Sequence, residues 1–168
     1  MVLGKVKNNG KAIMNLSTVH NLKELYEIDD YLWIREIVKL LREKRFNELD
    51  LENLIEELDD LGSEKKHKIE SLLEQIIRHL LMIEYWHNEN ERNYRNWCAE
   101  VIGFRTQINR RMTTNFYNYL EENLSIIYKK ARKYVSVKSG LDTFPQECPY
   151  TIQQLLDEDW FCEKINQM

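Results

Sequence analysis

"KIESLLEQIIRHLL" (Lys68–Leu81) decides what kind of fold this chain can adopt. Its apolar residues, Ile69, Leu72, Leu73, Ile76, Ile77, Leu80 and Leu81, recur at i, i+3, i+4, i+7 and i+8 through four turns. That is the 3.6-residue period of an α-helix, and so broad a stripe predicts a central helix touched from more than one side. Ser63, with Glu64 in the first turn, marks its expected start, and Trp86–Asn90 its expected end.

Working outward, the same period predicts further helices. Upstream, Asp50 caps a short helix with Leu51, Leu54, Ile55, Leu58 and Leu61 on one side, and Gly62 follows as a left-handed stop. Before it, a helix from Asp29 to Lys44 places Trp33, Ile37, Leu40 and Leu41 on one face, and "RFNELD" ends it. Residues 1–23 carry Lys, Asn and Gly without a period and read as a flexible N-terminal arm, in which Met14 is a second candidate start. Downstream, "NENERNYRNW" is a polar joint, and Tyr94, Trp97, Val101, Phe104, Ile108 and Met112 then form a fourth helical face. Thr113–Asn115 interrupt it. Phe116, Leu120, Leu124, Ile127, Tyr128, Ala131 and Val135 give a fifth, which Ser139-Gly140 stops.

The chain closes on "FPQECPYTIQQLLDEDWF" (Phe144–Phe161), which holds both prolines. A residue before proline is pushed out of the helical region, so Phe144 and Cys148 are extended. Thr151 and Gln154 form a capping-box pair for a last helix that buries Ile152, Leu155 and Leu156. Trp160 and Phe161 add apolar area beyond it. The segment reads as a clasp. The fold class expected is therefore all-α: an antiparallel helical bundle of about five helices with an extended C-terminal strap and a short closing helix. Residues 24–168 form one domain in this reading, with short joints between antiparallel neighbours.

The same residues carry a resemblance. "FPQECPYTIQQLLDEDWF", the segment from Tyr26 to Leu81 and "RNWCAEVIGFRTQI" resemble, in order and spacing, the uncharacterised bacterial family called domain of unknown function 29. The likeness spans about Tyr26 to Phe161 and implies an all-helical bundle of one domain. It implies no activity. Met82-Ile83-Glu84 departs from it, standing where the family usually has basic residues.

Composition narrows the functional classes. Five glycines and two prolines in 168 residues leave room for long helices and exclude a phosphate-cradling glycine loop or a dinucleotide fingerprint. The net charge of −4 is too mild to imply nucleic acid, but it is unevenly spread. Glu48–Glu64 holds eight acidic residues and no Lys or Arg, whereas Arg92–Lys133 holds nine basic residues and three acidic ones. Three cysteines without a CxxC pair, no signal-peptide pattern and no apolar run of about 18 residues fit a cytoplasmic, non-membrane protein.

Three kinds of chemistry compete. A divalent metal site would need His79 beside Glu56 or Glu57, on the premise that the second and third helices pack antiparallel. His79 is not part of a Glu-x-x-His pattern, since Ile76 stands three residues before it, and a boundary histidine bonded to a carboxylate or carbonyl is the favoured alternative. Arg95 lies one turn from Cys98, but no base is placed for a nucleophile. Arg95, Trp97, Arg105, Arg110 and Arg111 are candidates for a basic aromatic surface on DNA or RNA, against the simpler reading of aromatic core and arginine rim. By elimination the expectation is a binding or regulatory protein without a cofactor. Its partner is another protein or a second copy, joined through acidic and basic faces, and an enzyme is the less favoured reading.

Overall fold

The structure, a computed structural model, describes residues 21–160, whose regular elements are all helices, with no strand among them. The chain divides into two compact units that part between Asp60 and Leu61.

The first unit contains α1 (Leu22–Ile28), α2 (Asp30–Arg42), a single 3-10 turn (Phe46–Glu48) and the opening of α3. Residues 1–20 of the expected arm lie outside the described residues. Asn21–Lys23 are not part of an arm: the Asn21 side chain accepts from the Lys23 amide and caps α1. Asp29 caps α2, accepting from the Leu32 amide at 3.0 Å. Its small core is Leu25, Trp33 and Ile37, against which Tyr26, Leu49 and Leu54 pack.

α3 runs unbroken from Leu51 to Tyr85. The expected stop at Gly62 and restart at Ser63 do not exist. A mid-helix glycine costs about 1 kcal/mol against alanine, which does not end a helix whose hydrogen bonds propagate on both sides. Gly62 has no positive φ, and nothing lies within 4 Å of where its Cβ would be. Gly62→Ala is therefore expected to stabilise the protein by about 1 kcal/mol in urea unfolding, where a left-handed cap would have made it destabilising.

The second unit is built on the rest of α3 with α4 (His87–Asn109), α5 (Thr114–Ser139) and α6 (Ile152–Leu156). The predicted polar joint shrinks to Trp86 alone, because "NENERNYRNW" belongs to the first part of α4 and not to a loop. Trp86 stacks on Trp97 and His79 meets Phe104, so α4 runs antiparallel to α3. Lys66 lies over Tyr119 and Arg78 over Tyr134, so α5 runs parallel to α3. This up-down-up arrangement buries the predicted stripe Ile69–Leu81 completely, together with Val101, Ile108, Leu120, Ile127 and Val135. Thr113, in the predicted interruption, caps α5, and Gly140 ends it where the sequence predicts a stop, in the left-handed region at φ 72°.

Beyond Gly140 the strap closes the unit. Phe144, Tyr150, Ile152 and Leu155 are buried in the shared core, and the Thr151–Gln154 capping box is formed. The Tyr128 hydroxyl donates to the Pro145 carbonyl at 2.6 Å, and Tyr150 donates to Glu84 at 2.8 Å. Glu84 belongs to the stretch that departs from the family pattern: Met82 and Ile83 enter the core, and Glu84 receives the strap. No cis peptide bond occurs among the described residues.

Candidate functional site

In the first unit, one face of each helix makes the core and another is left open. Trp33 anchors the core, edge-on to Tyr26, with its indole N–H donating to Asp50. Asn53 holds the same Asp50 oxygen at 2.7 Å. Two contacts tie α1 to α3: Lys23 with Glu52 at 2.6 Å, and the Tyr26 hydroxyl with Glu57 at 2.9 Å. The Glu57 hydrogen bond pushes the Tyr26 hydroxyl up to about 12, and Glu52 raises the Lys23 ammonium.

The open faces are apolar. On α2, Tyr31 (65% exposed), Ile34, Val38 and Leu41 follow helical spacing; on α3, Leu51, Ile55 and Leu58 (58% exposed) do the same. Leu41 was expected in the core with Trp33, Ile37 and Leu40, and Leu51, Ile55 and Leu58 were expected to be buried too. They are not. The α2 pattern holds the signal, since its apolar residues cover two arcs, wider than one core contact uses. At 100° per residue, each open stripe is bordered on one side by the core and on the other by charge. Arg35, Lys39 and Arg42 border the α2 stripe, and Glu52, Glu56 and Asp59 border that of α3, all of them exposed.

The sequence-predicted metal residues are not brought together. Glu56, Glu57 and His79 lie on one continuous helix, with about six turns between Glu57 and His79, so the antiparallel pairing that the site required is absent. His79 Nδ1 instead lies 2.7 Å from the Gln75 carbonyl, the ring is half-buried against Phe104, and burial lowers its basicity. Among the described residues no group of three or more His, Cys, Asp or Glu is placed to hold a metal ion. The sign of the linkage follows. Folding favours neutral His79, so its stabilising contribution is complete above the ordinary value of 6.5 and is lost as pH falls through the lower folded value. His79→Leu is expected to flatten the decline of Tm between neutral pH and about pH 5.

The predicted nucleic-acid residues are separated as well. Trp97 is buried under Trp86, and Cys98 is buried beside it. Arg105 is not on a rim but fully buried, at 0% exposure. Its Nε donates to the Leu155 carbonyl at 2.9 Å, Nη2 to Gln154 at 3.0 Å and Nη1 to Trp160 at 2.6 Å. Asn109, one turn on, donates to the Leu156 carbonyl at 3.0 Å. A five-residue helix leaves its last carbonyls without partners of its own, and α4 supplies the donors. Arg95, Arg110 and Arg111 remain exposed. Arg111 shares a pocket of about 790 Å³ with Lys65, His67, Lys68, Ile69 and Phe116, a juxtaposition that sequence spacing did not show.

Cys148 is half-buried, its Sγ 3.4 Å from the Tyr150 carbonyl, and burial raises its thiol. That is the setting of a packing residue, not of a nucleophile. Phe161 and Cys162 lie outside the described residues. No described helix is long and apolar enough to cross a membrane.

No curated protein and no solved structure matches the chain. A family model does, over residues 25–161, from the buried Leu25 of α1 through α6 and the Trp160 carbonyl that Arg105 holds. The chain belongs to the family described as domain of unknown function DUF29.

Proposed function

We propose that this protein works by contact and not by turnover, as a cytoplasmic adaptor or complex subunit that holds another protein on the open apolar faces of α2 and α3. The observation that carries this reading is the exposure of seven large apolar side chains at helical spacing in the first unit. Monomeric proteins seldom leave contiguous patches of that size to water, and such patches mark protein contacts. The test is purification of the tagged chain from its native cells, beside the Ile34→Glu/Leu58→Glu variant. Wild type is expected to retain a stoichiometric partner that the variant loses with its circular dichroism unchanged. A chain that elutes alone and monomeric counts against the reading.

A second reading rests on the pocket of the second unit, whose lining sets Lys65, Lys68 and Arg111 against one acid, Glu64, beside the apolar Ile69 and Phe116. It takes a polyanion such as RNA. Retention on immobilised RNA is then expected to fall with salt, with a slope that shrinks in Lys65→Ala/Lys68→Ala/Arg111→Ala; retention that salt leaves unchanged rejects it.

A further inference from the structure

We infer that the occupant of the open faces is a second copy of this chain, with α2 of each copy lying antiparallel on α3 of the other. The inference rests on the contact reading above and deepens it. Three observations select this occupant. First, the faces match in kind: Tyr31, Ile34, Val38 and Leu41 on α2, and Leu51, Ile55 and Leu58 on α3, are exposed apolar rows at helical spacing.

Second, their borders are complementary. The α2 row is edged by Arg35, Lys39 and Arg42, and the α3 row by Glu52, Glu56 and Asp59. Glu52 is engaged by Lys23 and Lys39 by Glu36, which leaves Glu56 and Asp59 as the acids for Arg35 and Arg42. On both helices, viewed from N- to C-terminus, the order around the helix is core, apolar row, charge. Two such helices place charge against charge only when they run antiparallel; in a parallel pair the charged edge of each would meet the core edge of the other. Opposite signs thus fix both the partner helix and its direction.

Third, the area suffices. The two rows together leave on the order of 700 Å² open, close to the ~800 Å² per partner that stable protein contacts bury. The contact is reciprocal, so one two-fold axis satisfies both rows on both copies and nothing remains open to extend a filament.

Sedimentation equilibrium of the full chain tests the inference. Wild type is expected to be a dimer. Arg35→Glu/Arg42→Glu and Glu56→Lys/Asp59→Lys are each expected to raise the dimer Kd by at least about 100-fold, because each sets like charges against each other. Two further arms separate lost contact from lost fold. A mixture of the two reversed chains is expected to form a mixed dimer in which both contacts carry opposite charges, one swapped and one native, binding more tightly than either chain binds itself. A chain carrying all four reversals is expected to return to near wild-type dimerisation. A monomeric wild type overturns the inference, as does a dimer indifferent to the reversals or one that the fourfold variant fails to restore. If wild type is monomeric yet still holds a different protein that Ile34→Glu/Leu58→Glu loses, the second copy is rejected and the contact reading stands. If both are lost, the reading falls with it.

Discussion

Replacing Arg105 by methionine is expected to destabilise the protein by about 3–5 kcal/mol, the cost of removing one member of a buried, charge-assisted network. The guanidinium serves three carbonyls, those of Gln154, Leu155 and Trp160, and is itself fully buried. Methionine fills the space of the stem and supplies no donor, so the end of α6 is left with buried acceptors. Arg105→Lys is expected to recover little, because a single ammonium cannot reproduce the planar fork that reaches three oxygens at once. Urea unfolding reads both, and a chain of this size should lose on the order of 10 °C in Tm. Arg105→Met unfolding at the wild-type midpoint would show that α6 is held by packing alone.

A chain ending at Gly140 is expected not to melt cooperatively. The strap contributes Phe144, Tyr150, Ile152 and Leu155 to the core, and full burial of such side chains stabilises by about 1.5–3 kcal/mol each. Their sum rivals the whole stability of an ordinary domain, about 5–15 kcal/mol. Removal also opens the core faces of α3, α4 and α5 that the strap covers and leaves Glu84, Tyr128 and Arg132 without their partners Tyr150, Pro145 and Gln146. Far-UV circular dichroism should keep much of its helical signal, because the long helices persist, while dye binding to exposed apolar surface rises. A sharp transition at the wild-type Tm in the shortened chain would mean that the strap is decoration.

These two expectations show where sequence reasoning succeeded and where it stopped. Local patterns were legible because they depend on neighbours within a few residues. The stripe from Ile69 to Leu81 is buried, Thr151 and Gln154 form their capping box, and α5 stops at Gly140. Gly62 misled, because the same residue serves as a stop or as a tolerated interior position according to whether the helix beyond it is held. Arg105 misled for a different reason. Its flanks, Phe104 and Thr106, look like those of any surface arginine, and the carbonyls that receive it lie about 50 positions further on.

The candidate site was the least legible part. Leu51, Ile55 and Leu58 have the spacing of core residues, and spacing cannot tell a face that meets its own chain from one that meets another. The eight acidic residues of Glu48–Glu64 were visible at once, but only the fold shows that some of them border an apolar row.

By itself, then, the amino-acid order determined α2, α5 and α6, the core stripes of α3 and α4, the capping box and the family, but not α1, because periodicity, capping and backbone preference act over one or two turns. Tertiary structure alone decided that α3 is continuous, that Arg105 is a buried clamp, that His79 faces Gln75 and Phe104 away from any acidic cluster, and that two apolar faces remain open. Those outcomes turn on which distant segments compete for the same surface, and burial is settled only when every competitor is in place.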